Sequence, residues 1–185
     1  MSVRIESVDK YFKGMDRLQE LYEGAFPEEE RVPMWILLWR AKKNHIHFKA
    51  FYDEHTFVGF TYLIVFKDIT FVFYLAIDNQ IRSKGYGSQV LTKIKEMYPN
   101  NRIILNIEAV EEEASNHEQR TQRKSFYLRN GYQNSKLTIS QFNQSYEVMV
   151  HGQDITKGEL RGVFKSFMGS LLYWFSRPEI SELQD

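Results

Sequence analysis

Arg82-Ser83-Lys84-Gly85-Tyr86-Gly87-Ser88 follows an apolar, strand-like run from Phe71 to Ile77 and opens a segment with helical periodicity. Two glycines separated by one residue let the main chain turn tightly, with no Cβ in the way. A helix that starts at such a turn offers unpaired N–H groups and the positive end of its dipole, which suits a phosphate-bearing ligand. Two familiar phosphate loops are excluded. No Gly-Lys-Ser/Thr occurs anywhere in the chain, and the third glycine of the dinucleotide fingerprint is replaced by Val90.

Working outward, residues 1–7 read as a strand, and Tyr11, Met15, Leu18, Leu21 and Tyr22 recur at helical spacing. The acidic run Glu28-Glu29-Glu30 leads to Pro33, which is expected at the first position of a second helix carrying Trp35, Leu38 and Trp39. Ile46, Phe48, Ala50 and Tyr52 alternate with polar residues, and Phe57 to Phe66 and Ile69 to Ile77 are rich in β-branched and aromatic types. These read as three antiparallel strands. Val90, Leu91, Ile94 and Met97 mark the helix after the loop, and Arg102 to Ala109 the next strand. Ser115 and Glu118 have the spacing of a capping box, opening a helix that runs to Asn130 with Gly131 at its C′ position. Two strands, Tyr132 to Ser140 and Gln144 to Val150, and a helix from Thr156 complete the order.

Arg82, Gly85 and Gly87 resemble the acetyl-CoA loop of the GNAT superfamily of N-acetyltransferases, Gln/Arg-x-x-Gly-x-Gly/Ala between a strand and a helix. Ser125-Phe126-Tyr127-Leu128-Arg129-Asn130-Gly131-Tyr132 looks like that family's Phe-Tyr-x-x-x-Gly-Phe helix end, with Tyr132 in place of Phe. The resemblance covers about residues 1–150. It implies an α+β fold of the GNAT acyl-CoA N-acyltransferase type: a central, mostly antiparallel twisted sheet flanked by helices, here with an extra C-terminal helix. The expected organisation is one domain over 1–185, with a core of 1–150 and a helical extension over 155–176.

The same resemblance implies roles. Tyr127 would protonate the departing CoA thiolate, or is half of an aromatic core pair with Phe126. Glu108 would act as general base, or is a strand-end carboxylate ion-paired with a nearby Arg. Backbone groups of Leu75, Ala76 and Ile77 would meet the pantetheine arm, and Arg82, Ser83, Lys84, Gly85, Tyr86, Gly87 and Ser88 the pyrophosphate. One departure stands out: the family's Asn seven residues before the tyrosine is Arg120 here, and the nearest Asn is Asn116. Arg120, Arg123 and Lys124 crowd this helix: Arg123 meets a cofactor phosphate or an acidic acceptor group, or these are surface charges that balance upstream glutamates. Glu111-Glu112-Glu113 reads as a solvated loop, and Glu28 to Glu30 as solvated or as an attraction for a cationic amine.

Composition narrows the classes. Lys plus Arg equals Asp plus Glu at 24 each, which gives no electrostatic reason to expect nucleic acid as a partner. No cysteine is present, so thiol nucleophiles and disulfides are excluded. His45 and His47 share a strand face without a third ligand, and no metal is expected. No apolar run reaches the ~20 residues of a membrane span, and the first residues lack the pattern of a signal peptide, so a cytoplasmic protein is expected. The apolar stretch Phe164 to Phe175 packs on the sheet, forms a homodimer contact or touches a membrane surface. The expected activity is transfer of acetyl from acetyl-CoA to a small-molecule or peptide amine. A non-catalytic acyl-CoA-binding or sensor protein on the same fold, and an unrelated α+β interaction protein, are the rival readings.

Overall fold

The computed structural model describes residues 3–81, 85–141, 144–169 and 178–182. The chain divides into two compact units, Met1–Val65 with Val72–Pro99, and Phe66–Phe71 with Asn100–Asp185.

In the first unit, β1 (Val3–Ser7) pairs antiparallel with β2 (Ile46–Asp53), and β2 with β3 (Thr56–Phe66). Next to β3 runs β4 (Ile69–Ile77), of which Val72 onward belongs to this unit. The alternation of β2 is broken by a bulge between Phe51 and Tyr52, so that Ala50 and Phe51 are both fully buried. Opposite Phe51 lies Gly59, where a Cβ would come within 2.1 Å of the Ala76 carbonyl oxygen. Only glycine lets β3 and β4 approach this closely at the end of β4.

The helices of this unit begin later than their apolar periodicity suggests. Helix α1 (Met15–Ala25) starts after Gly14, which leaves Tyr11 outside it and 76% exposed. In α2 (Met34–Arg40), Pro33 is the N-cap rather than the first helical residue. Its inward residues are Leu37 and Arg40, whereas the expected Trp35 and Trp39 are 70% and 54% exposed. Tyrosine hydroxyls fasten the segment before α2. Tyr74 donates to the Glu30 carbonyl at 2.6 Å and accepts from the Val32 N–H, Tyr22 donates to the Val32 carbonyl, and Tyr62 to that of Leu37. Each buried phenol gains a main-chain partner, which is what an aromatic core with polar tips requires. Helix α3 (Tyr86–Met97) buries Tyr86, Val90, Leu91 and Ile94.

In the second unit the strand order is β5 (Arg102–Glu108), β7 (Gln144–His151), β6 (Gln133–Gln141), β8 (Glu179–Glu182). Its ladders are all antiparallel. The last strand was not legible in the sequence: it has four residues, of which Ile180 alone is buried. Helix α4 (His117–Arg129) ends ahead of Gly131, as expected, but its start differs. Asn116 is the N-cap and no side chain caps the helix, so the Ser115/Glu118 box does not form; Glu118 accepts a hydrogen bond from Gln122 instead. The capping box lies on α5 (Lys157–Met168), between Thr156 and Glu159. Arg102 ties this unit together, reaching Asp68 at 2.9 Å, Glu159 at 2.6 Å and the Asp154 carbonyl at 2.9 Å. Among the described residues, no helix is long and apolar enough to cross a membrane.

Candidate functional site

In the first unit the loop glycines stand where the motif requires them. Gly85 is the N-cap of α3 with φ +78°, a conformation that favours glycine, and a Cβ there would meet no atom within 4 Å. No side chain caps α3, so the first-turn N–H groups have no side-chain acceptor from the cap. The first helical bond runs from Gln89 to the Gly85 carbonyl, at 3.2 Å. The Tyr86 side chain turns inward and donates to Asp53 at 2.6 Å, which raises its phenol pKa, so its main chain alone remains for a ligand. Gly87 and Ser88 lie in the same first turn. Arg82, Ser83 and Lys84 lie outside the described residues.

The end of β4 is held along its β3 side. Thr61 donates to the Tyr74 carbonyl, the Asp78 N–H to the Val58 carbonyl, and the Ala76 carbonyl lies against Gly59. Tyr74, Ala76 and Asp78 therefore turn their main-chain groups toward β3. By the alternation of a strand, Leu75 and Ile77 turn theirs away from it. Of the expected trio, Leu75 and Ile77 have the orientation to serve a ligand, and Ala76 does not. The link from β4 to α3 is clamped by Asp78, a residue the motif reading missed. Its buried carboxylate takes a 2.7 Å salt bridge from Arg17 of α1 and accepts from the Gln80 N–H at 3.0 Å.

In the second unit Glu108 closes β5. One oxygen accepts from Arg123 at 2.8 Å; the other lies 3.3 Å from both Arg120 and Asn116. Asn116 in turn accepts from Arg120 Nε at 2.7 Å, which explains why its carboxamide does not cap α4. Arg120 is buried, not a surface charge: it donates to the Ala109 carbonyl at 2.9 Å and lies 3.7 Å from Glu111. The position expected to carry an Asn thus holds the strand end and the acidic loop in place. Arg120 and Arg123 thus pair with upstream glutamates, whereas Lys124 pairs at 2.6 Å with Glu147, which lies downstream. Arg123 differs in that its side chain remains 48% exposed.

Tyr127 lies one helical turn beyond Arg123. Its ring meets Phe126 and Tyr132 edge-on, at centroid distances of 5.2 and 5.7 Å. Burial pushes its phenol up to about 12, with nearby Arg123 opposing the shift. The aromatic pairing with Phe126 is therefore real, yet it leaves the hydroxyl without a hydrogen-bond partner among the described residues. A group so placed keeps its proton at neutral pH and has it to give. His45 and His47 gather no further ligand; among the described residues no group of three His, Asp or Glu side chains could hold a metal.

A family model described as an acetyltransferase (GNAT) domain matches residues 43–134, a segment that contains both motifs. By sequence, no curated protein matches. Among solved structures, the chain is similar to one described as a GNAT-family acetyltransferase from Bacteroides thetaiotaomicron, with 22% identity, 92% of this chain and 98% of that chain covered, and a TM-score of 0.72. A PaiA N-acetyltransferase from Thermoplasma acidophilum, solved in complex with coenzyme A, has 17% identity, coverage of 83% and 100%, and a TM-score of 0.55. A spermidine N-acetyltransferase mutant from Vibrio cholerae has 10% identity, coverage of 80% and 92%, and a TM-score of 0.62. At these identities the neighbours establish the fold, and the family model lies over the loop and the helix end that first suggested it. This chain belongs to the GNAT superfamily of acetyltransferases.

Proposed function

We propose that the protein is an acetyl-CoA-dependent N-acetyltransferase, acting as one domain over 1–185, that moves acetyl directly to a primary amine. The observation that carries this reading is the Tyr127 hydroxyl, one helical turn beyond the Arg123 that pairs with Glu108 and without a hydrogen-bond partner among the described residues. Bound acetyl-CoA would supply the acyl group already activated as a thioester. The main-chain amides of Gly85 to Ser88 hold the pyrophosphate, with Arg82, Ser83 and Lys84 completing the loop. Leu75 and Ile77 hold the pantetheine arm through their main chains. Glu108 takes the proton of the acceptor ammonium, which displaces the half-exposed Arg123 from the carboxylate. Tyr127 gives its proton to the departing sulfur.

A cationic acceptor suits this arrangement, because an ammonium group replaces a guanidinium on the same carboxylate without stranding a charge. The Vibrio cholerae neighbour, named for spermidine, gives that class a precedent on the same fold. One observation favours the rival reading of an acyl-CoA-binding sensor: both oxygens of Glu108 are already engaged. Thiol release from acetyl-CoA, followed with spermidine, kanamycin and a peptide with a free amino terminus, separates the two. Release that depends on the amine supports the enzyme. Calorimetric binding of coenzyme A without release supports the sensor, and no binding overturns both.

A further inference from the structure

Glu108 is not the sole polar residue on its face of β5. Ile103, Leu105 and Ile107 point to one side and are buried, so Asn106 shares the other side with Glu108. The Asn106 Oδ1 atom is buried and has no hydrogen-bond partner among the described residues. Across the β5–β7 ladder its neighbour is Val148, which offers a side chain with no donor. Buried polar atoms are almost always paired, so an orphan of this kind calls for an explanation.

Its position along the strand supplies one. Helix α4 runs antiparallel to β5. Near the helix start, Asn116 donates to Glu108 and Arg120 donates to the Ala109 carbonyl. Past the helix end, His151 Nδ1 lies 2.8 Å from the Gly131 carbonyl, and His151 is in register with Ile103. Moving from Glu108 toward Ile103 is therefore moving from Arg123 toward Gly131. One pleat of the strand advances about 6.6 Å and four helical residues about 6 Å. Since Arg123 meets Glu108, Tyr127 falls level with Asn106.

We propose that Asn106 is a substrate-binding residue for the amine, its Oδ1 accepting a hydrogen bond from the acceptor nitrogen. The assignment rests on the acetyltransferase reading. In that reaction the nitrogen stands near the group that takes its proton, and Asn106 shares the face of β5 with Glu108, one pleat along it and at the level of Tyr127. A neutral acceptor there selects for nucleophiles that carry a proton to donate and disfavours carboxylates, which have none. Glu108 and Asn106 together present two acceptors to one ammonium group, and as the amine deprotonates it still has N–H to give to Asn106.

The test is Asn106→Leu, which has nearly the same shape and no polar atom. If Oδ1 serves only the substrate, the folded protein loses nothing by the change, and its melting temperature stays equal or rises. The KM of the best amine in the panel should increase by about tenfold to a hundredfold, the range for a hydrogen bond to a charged group, while that of acetyl-CoA remains within about twofold. An unchanged amine KM overturns the assignment. So does a melting temperature lowered by several degrees, which marks Oδ1 as bound to a structural water or a neighbouring group. Wild-type protein that turns over no amine sinks the acetyltransferase reading itself, a result read before any variant is made.

Discussion

Replacing Glu159 by Gln tests whether Arg102 holds the second unit together through charge. Arg102 and the Thr156 main chain hold this carboxyl down at about 2, against an ordinary value of 4.5. A depressed carboxyl stabilises the folded state above its unfolded pKa, and that contribution fades as pH falls through the folded value. The window is thus about pH 4.5 to 2. Taken at face value the shift corresponds to ~3.4 kcal/mol, but the side chain is 30% exposed and solvent screens it, so about 2 kcal/mol is the working figure. Gln keeps an oxygen for the cap on α5, which isolates the ion pair from the capping box. Urea titrations of both proteins should separate by about 2 kcal/mol near neutral pH, and by less than half of that near pH 3. A difference that persists undiminished at the lower pH would refute the argument, since it would then reside in packing or the cap rather than in the charge.

Tyr127→Phe should lower turnover by about tenfold or more while calorimetric affinity for coenzyme A stays unchanged; full activity removes the phenol from the reaction. Gly85→Val forces a β-branched residue into φ +78° and should weaken coenzyme A binding by about tenfold or more, with far-ultraviolet circular dichroism unaltered. Gly59→Ala puts a methyl 2.1 Å from the Ala76 carbonyl and should cost about 2 kcal/mol or more in urea unfolding; a neutral result means that β3 and β4 separate at little cost.

Elements with a strong local signal were legible in the sequence. The strands from Ile46 to Ile77, the glycine turn into α3 and the helix end at Gly131 each depend on residues a few positions apart. What escaped depends on partners distant in the chain. Seven residues of α2 cover barely two turns, too few for apolar spacing to choose a face, and the choice fell on Leu37 and Arg40. The box at Ser115 does not form because α4 starts one residue later, at the N-cap Asn116, whose Oδ1 is taken by Arg120. Strand β8 exists because β6 has a free edge to pair with, which its own four residues cannot announce. Arg102 read as the first residue of a strand, and nothing local foretold Asp68 and Glu159 as its partners.

The proposed chemistry shows the same division more sharply. Residue types at Glu108 and Tyr127 were visible, but their states were not. Burial raises the Tyr127 phenol further above its ordinary value, and three neighbours engage Glu108. Those neighbours are not equivalent. Arg120 is buried and bonded to the Ala109 carbonyl and Asn116, so releasing it would strand a charge in the interior. Arg123 has one protein carboxylate as its hydrogen-bond partner and reaches solvent, so water can take over its guanidinium when a substrate arrives. In the proposed reaction an incoming ammonium would therefore displace Arg123 and leave Arg120 in place. The carboxylate would keep its buried cation and exchange the exposed one for the group whose proton it is to accept.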